Sequence, residues 1–153
     1  MILVPKFKNV VELQGALSIV VTDTITNTVR QELYVPNLVV STGKTFIASR
    51  MVGTAATIMS NMAIGTGTTA PAAGDTTLGT EAGRVALDTF TASTNTVTAT
   101  ATFPAGTGTG AITEAGIFNN SSTGGTMLCR TTFPVVNKAA GDSIAVTWVI
   151  TVS

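Results

Sequence analysis

At 153 residues, with charged side chains making up 10% of the chain and a formal net charge of zero, the sequence carries no electrostatic footprint for nucleic acid or an anionic membrane. It has no histidine and one cysteine, which removes the commonest general base and metal ligand, any intrachain disulfide and every multi-cysteine zinc site. So light a charge gives a free monomer little colloidal protection, and points to life inside an assembly.

The length suits one domain with a core of its own. Threonine is the commonest residue, with alanine, valine and glycine behind it. Threonine and valine fit a pleated sheet, and a threonine hydroxyl can face water or a neighbouring subunit without a charge. The N-terminal Met1-Ile-Leu-Val-Pro-Lys lacks the order and length of a signal peptide, and no apolar run approaches about 18 residues. The expectation is a protein made in a cytoplasm and kept there until it is assembled.

Residues 1–12 mix Ile2, Leu3, Val4, Phe7, Val10 and Val11 with Lys6, Lys8 and Glu12, interrupted by Pro5. They read either as a first edge strand or as an extended arm for a neighbouring subunit, since such a tail is poorly placed loose in water. Residues 13–153 then form a single β-domain. Leu13–Val21 and Val29–Val40 make a hairpin about Thr22–Thr28. Leu13, Gly15, Leu17, Ile19 and Val21 supply its core face, and Pro36 belongs at a sheet edge or bulge. Ser41-Thr42-Gly43 offers a helix start, Phe46, Ile47, Arg50 and Met51 follow at helical spacing, and Gly53 ends the helix.

Met59–Gly65 reads as a strand. Thr66–Gly83 is a connection too long for a structureless loop in a compact domain, so it is an interaction loop or partly strand. Arg84–Phe90 and Thr96–Phe103 read as a hairpin about Thr91–Asn95. In its second strand Val97, Ala99, Ala101 and Phe103 alternate with four threonines, which gives one wet or subunit-facing side. After the Ala105–Gly110 loop, Ala115–Phe118 and Met127–Phe133 flank a polar segment ending in Gly124-Gly125, the pattern of a hairpin with a several-residue loop. Ser143–Val152 closes the chain, with Ile144, Val146, Trp148, Ile150 and Val152 alternating inward and Trp148 as the main core anchor. Eight or so strands with one short helix predict a mainly β fold, an antiparallel β-sandwich of jelly-roll-like or immunoglobulin-like topology.

Motifs that imitate chemistry lack their context. Gly43-Lys44-Thr45 resembles the end of a phosphate-binding loop, but the position that needs the first glycine is Leu38. Gly65-Thr66-Gly67-Thr68-Thr69-Ala70 imitates a dinucleotide fingerprint, yet Pro71, Gly74 and Asp75 follow where a helix must start. Asp75, Glu81, Asp88, Glu114 and Asp142 are scattered, and no segment has EF-hand spacing. Cys129 reads as a small buried hydrophobe rather than a catalytic thiol. No catalytic, metal or cofactor site is expected. The charges of interest are Glu114 with Arg130, on opposite arms of the Thr113–Phe133 hairpin, and Glu81 with Arg84, three residues apart. Exposed pairs of this kind contribute about 0 to 1 kcal/mol. The small and apolar neighbours of Glu114 favour burial, where loss of one partner costs about 3 to 5 kcal/mol.

Asn61–Glu81 followed by Arg84 resembles a segment recurrent in small virion structural proteins of tailed bacteriophages. So do Ile112–Phe118 followed by Gly125–Phe133, Asn37-Leu-Val-Val, the Gly43…Ile47-Ala48 helix start, and Gly141–Trp148. The Glu114-Ala-Gly-Ile-Phe118 element is also similar to the end of tail-collar and tail-fibre proteins. The resemblance spans Gln14 to Ser153, and residues 1–12 fall outside it. It implies a non-enzymatic β module, trimeric or otherwise symmetric, docked on capsid, tail or baseplate; no cofactor is expected, and the charge balance leaves neither nucleic acid nor a membrane as an expected partner. The expected role is tail-, collar- or fibre-associated. A capsid decoration protein is the alternative, and a receptor- or glycan-binding module and a hydrolase are the rivals. The candidate interaction residues are Glu81, Arg84, Glu114, Arg130, Trp148 and Phe7.

Overall fold

The alternation of the first long apolar stretch sets up a hairpin in the computed structural model, which describes residues 10–54 and 57–153. β1 (Leu13–Asp23) and β2 (Thr28–Val39) pair antiparallel from Gly15↔Asn37 to Asp23↔Thr28. Asp23 Oδ1 closes the turn by accepting the backbone N–H groups of Ile25 and Thr26, and Asn27 takes the left-handed conformation. Residues 1–9, and with them Phe7, lie outside the described residues.

α1 (Ser41–Met51) follows, then β3 (Asn61–Gly65), β4 (Glu81–Ala86), β5 (Thr89–Ser93), β6 (Thr96–Phe103), β7 (Gly110–Phe118), β8 (Met127–Lys138) and β9 (Asp142–Val152). Gly53, at φ 71°, ends the helical turn as the sequence predicts. The helix start differs from expectation, because Val40 is the capping position and makes no side-chain cap. Thr42 instead donates its hydroxyl to the Met127 carbonyl and ties the helix to β8. Phe46 and Ile47 pack on the core, whereas Met51 is exposed.

Among the described residues the strands form one nine-stranded antiparallel sheet, in the order β4-β3-β7-β8-β2-β1-β9-β6-β5. The sheet curls into a half-barrel, and its inner face encloses the main core. Two halves can be told apart. β1, β9, β6 and β5 form one with most of β2, and β8, β7, β3 and β4 form the other. They join where Leu38 and Val39 of β2 pair with Arg130 and Cys129 of β8. A second crossing lies between the two end strands. There the Leu87 N–H donates to Ser60, on the β3 side, and the Asp88 N–H donates to Thr100 on β6. This crossing corrects the predicted Arg84–Phe90 strand. It is two strands in different halves, broken where the chain changes sides, and only β5 pairs with β6.

Pro36 sits where its missing donor does no harm. It lies opposite Ala16 of β1, and its carbonyl points towards β8, beyond the reach of the β2–β8 ladder, where it accepts the Thr131 hydroxyl at 2.6 Å. In the first half the predicted alternation holds residue by residue. Leu17, Ile19, Val21, Ala99, Ala101, Phe103, Ile144, Val146, Trp148 and Ile150 are buried, and the residues between them face outward. Leu13, Gly15 and Val97, predicted on the same faces, are half-buried, and Val152 is partly exposed at the strand end.

The second half is covered on both faces. Met62, Ile64, Ala115, Ile117 and Cys129 face the main core. On the opposite face Val40, Ala63, Phe118 and Met127 form a smaller apolar cluster, closed by Leu78 from the long connection after β3. All five residues of β3 are therefore buried, and β7 is buried from Ile112 to Phe118. Burial on both faces replaces alternation by a continuous apolar run.

Candidate functional site

The connection between β3 and β4 lies across the outer face of the second half, and one carboxylate holds it there. Glu114, on β7, is opposite Gly65 of β3. It is 0% exposed, and its carboxylate accepts five hydrogen bonds. Oε1 takes the backbone N–H groups of Gly67 at 2.9 Å and Thr80 at 2.7 Å. Oε2 takes the N–H of Gly79 at 2.9 Å and two donors of Arg130, Nε at 3.1 Å and Nη2 at 2.8 Å. Both ends of the connection are thus fastened to one side chain.

Arg130, on β8, is opposite Gly116, one step along the diagonal from Glu114. A Cβ at Gly116 would press on Leu78, Phe118 and the Cys129 carbonyl at 3.1 to 3.2 Å, so the glycine makes room for the small apolar cluster beside the pair. Arg130 is 3% exposed. Its Nη1 pairs with Asp75 Oδ2 at 2.7 Å and its Nη2 also donates to the Thr69 carbonyl at 3.0 Å. The middle of the connection is held from the same point.

Glycine is needed where the backbone passes the carboxylate. A Cβ on Gly65 would lie 2.6 Å from Glu114 Oε1, and one on Gly67 would collide with the same oxygen. The Gly65-Thr66-Gly67 sequence that imitates a nucleotide loop therefore wraps a carboxylate of the protein itself. The Thr113 hydroxyl adds a bond to the Gly67 carbonyl at 2.9 Å.

Electrostatics match this geometry. Burial pushes the Glu114 carboxyl up, but the N–H groups of Thr80 and Gly79, the Arg130 guanidinium and the Gly67 N–H together outweigh it, so its pKa is held below the ordinary value. The Ala72 N–H, chiefly, and Arg130 hold Asp75 below its ordinary value against its partial burial. Burial works against the charge on Arg130 and its two carboxylate partners overcome it, so its pKa is raised.

Glu81 and Arg84 form the second predicted pair, on β4. Nη2 meets Glu81 Oε2 at 2.7 Å, and Nε meets Oε1 at 2.9 Å. Arg84 does more than its spacing suggests. Its guanidinium lies 3.8 Å from the centre of the Phe118 ring, and Nη1 donates to the carbonyls of Asn120, Ser122 and Gly124 at 2.9, 2.7 and 3.2 Å. One side chain organises the β7–β8 loop. The two ionic groups belong to the same two-sided half, on strands β4, β7 and β8.

Trp148 is fully buried in the main core, and among the described residues its Nε1 meets no hydrogen-bond partner. Cys129 is buried opposite Ile117, and burial drives its thiol pKa well upward. Gly43-Lys44-Thr45 lies in the first turns of α1. Sequence reasoning missed a third polar group at the β8–β9 turn. Buried Lys138 donates to the carbonyls of Pro104 at 2.9 Å and Asp142 at 2.7 Å, and burial lowers its pKa. The Asp142 side chain takes Arg30 Nη1 at 3.1 Å and the Ala139 N–H at 2.9 Å. A lysine followed four residues later by an aspartate at a strand turn was the available signal. Among the described residues no group of three or more His, Cys, Asp or Glu side chains is placed to hold a metal ion.

Comparison with known proteins gives no matching family, no similar curated protein and no similar solved structure.

Proposed function

We propose that this protein is a non-enzymatic structural component of a tailed-phage virion, associated with the tail, collar or fibre, which acts by docking and self-association. The curled sheet is read as a β-sandwich whose two leaves remain joined at the β2–β8 corner. The observation that carries the reading is the use made of the charged residues in the virion-like segments. Glu114, Arg130, Asp75 and Arg84 bind backbone of loops that reach the surface, and Glu81 holds Arg84 in place for this. A building block that works by contact needs pre-shaped loops, because ordering them on docking would cost affinity. The uncharged outer face of β1, β9 and β6 fits the same use, since it carries no charge to be stripped of water on contact. Contacts are assigned to the N-terminal arm and to the loops at Gly67–Gly83 and Ala105–Gly110.

The test is to locate the protein in intact particles by labelling and imaging, together with sedimentation of the purified chain. A few copies confined to one vertex are the expected result. Many copies, lost together with head stability, would move it to capsid decoration. Turnover of a polysaccharide would overturn the non-enzymatic reading, and a stable monomer that never joins a particle would overturn the whole of it.

A further inference from the structure

The two end strands of the sheet are treated differently. β4 carries Glu81 and Arg84 and has the 104–109 loop against it, so close that a Cβ on Gly83 would sit 3.0 Å from the Gly108 nitrogen. β5 is open. All five of its residues, Thr89-Phe-Thr-Ala-Ser93, are exposed, and among the described residues no strand pairs with its outer side. Edge strands are ordinarily guarded by charge or proline, because a row of unpaired backbone groups is a template for another strand. β5 has neither.

The backbone groups left open can be read from β6. The Thr100 carbonyl accepts the Asp88 N–H, and the Asn95 carbonyl accepts the Val152 N–H from the β9 side. Successive residues of an antiparallel strand turn their N–H and C=O to opposite neighbours. Thr96, Thr98 and Thr100 therefore face β5, whereas Val97 and Ala99 face β9. Ser93, Thr91 and Thr89, which lie opposite the three threonines, are bonded to β6. Phe90 and Ala92 consequently point both N–H and C=O away from the sheet, which puts four unpaired groups on its rim.

This rim is complementary to itself. With Phe90 opposite Ala92 of a second, antiparallel copy, all four groups of each strand are satisfied and a two-fold axis passes between the two Thr91 residues. Sliding the copies to put Phe90 opposite Phe90 satisfies half of them. Side chains agree with the first register. On the inner face each Phe90 lies beside a small Ala92, at the mouth of the apolar cleft of about 310 Å³ between β5 and α1. On the outer face the two Thr91 side chains meet as a cross-strand threonine pair. Residues at a two-fold axis face their own kind, so a charge there would repel itself, and β5 carries none.

We infer that β5 pairs with β5 of a second copy across a two-fold axis at Thr91, continuing the sheet from one molecule into the next. The inference deepens the self-association proposed above and rests on it. The contact is isologous, with the same patch used on both copies. A five-residue edge is small beside the roughly 1,200 to 2,000 Å² buried by stable pairs, so it joins copies that an assembly already holds close.

Oxidation of full-length Thr91→Cys protein, followed by separation under denaturing conditions, traps such a contact. Residues facing each other across a non-hydrogen-bonded pair have Cα atoms about 4.5 Å apart, inside the span of about 4.4 to 6.8 Å that a disulfide bridges. A disulfide-linked dimer is expected. Thr89→Cys and Ser93→Cys, equally exposed on the same strand, each lie about 13 Å from their own counterpart in this register and should give far less. Trapping of all three to the same extent would mean random collision and would overturn the register. Ala92→Pro removes an outward N–H and leaves the β6 ladder whole. Added to Thr91→Cys, it should cut the dimer yield by about tenfold, with circular dichroism and thermal midpoint unchanged. An undiminished yield would overturn the edge contact. If the parent self-associates in sedimentation and Thr91→Cys gives no dimer, β5 is not the contact although self-association stands. If the parent neither self-associates nor joins particles, both proposals fall.

Discussion

The two halves of the sheet bury similar strands by different means. β1, β9 and β6 bury one face, and apart from Asp142 at the start of β9 every deeply buried side chain on that face from Leu17 to Ile150 is apolar. β3, β7 and β8 bury both faces, and the outer one encloses a full ionic network, Glu114 with Arg130 and Asp75. The first arrangement is non-directional. Its stability follows the apolar area removed from water, and substitutions that preserve volume change it little. The second is directional, because a buried carboxylate satisfied by five donors tolerates one path for the backbone that supplies three of them. The half that carries the shaped loop uses charge in the middle of its strands, whereas the buried carboxylate of the other half, Asp142 with Arg30, is confined to a strand end at the β8–β9 turn.

Removing Arg130 should break the comparison most sharply. Arg130→Met leaves Glu114 ionised and buried without its cation, and a destabilisation of about 3 to 5 kcal/mol is expected. Glu114→Gln combined with Arg130→Met should recover part of that loss, because no unpaired charge then remains. Urea denaturation of the two single variants and the double variant measures the coupling. If Arg130→Met costs no more than an exposed pair, about 0 to 1 kcal/mol, the network is ornamental and the two halves are held alike.

Acid should act chiefly on the second half, although Asp23 at the exposed β1–β2 turn is also held below its ordinary value by the N–H groups of Thr26 and Ile25. Glu114 and Asp75 both have native pKa values below their ordinary ones. An acid whose pKa is depressed by folding stabilises the native state fully above its unfolded pKa, and the contribution is lost as pH falls through the native value. The stability supplied by the network is therefore complete above the ordinary carboxylate range, about pH 4 to 4.5, and declines steadily below it. Hydrogen exchange at Gly67, Gly79 and Thr80 should rise in this window before exchange in β1 and β9. Simultaneous loss of protection in both halves would show that the loop has no local stability of its own.

How much of this was legible in the sequence follows from the same difference. Val97–Phe103 and Ile144–Ile150 show their buried face directly, because one-sided burial writes itself as alternation. Ala63 and Gly116 showed nothing of the kind, since a strand covered on both faces has no polar side to alternate with. Glu114 drew notice through its apolar neighbours, and the Arg130 pairing follows from the hairpin. Asp75 lies 55 residues from Arg130 in the chain, and no local pattern could join them. The backbone donors at Gly67, Gly79 and Thr80 carry no side-chain signature at all. The break at Leu87–Asp88 was invisible for another reason, because a residue that changes sheet halves can keep a strand-like sequence throughout.

Arg84 tests whether fastening by charge can be local. Arg84→Lys keeps the cation but loses the planar fork that reaches Glu81 and three loop carbonyls together. The expected cost is about 1 to 2 kcal/mol, with exchange protection lost over Asn119–Thr126 and retained in β3 and β7. Loss spread over the whole second half would make the Arg84 and Arg130 groups one cooperative unit rather than two.

The smallest effect on stability belongs to the opposite half. Thr98, on the outward face of β6 between Thr91 of β5 and Val149 of β9, touches neither core nor ionic network. Thr98→Lys should change the unfolding free energy by no more than about 0.5 kcal/mol, as surface substitutions usually do. Its effect on association separates two uses of that face. A surface wetted by solvent accepts the lysine without consequence, whereas a surface buried between subunits must strip the new charge of water and should fail to assemble. Sedimentation of the variant beside the parent at equal concentration reads the difference. Normal association by a normally folded Thr98→Lys protein would remove the neutral face of this half from the docking surface and leave contact to the arm and the charge-fastened loops.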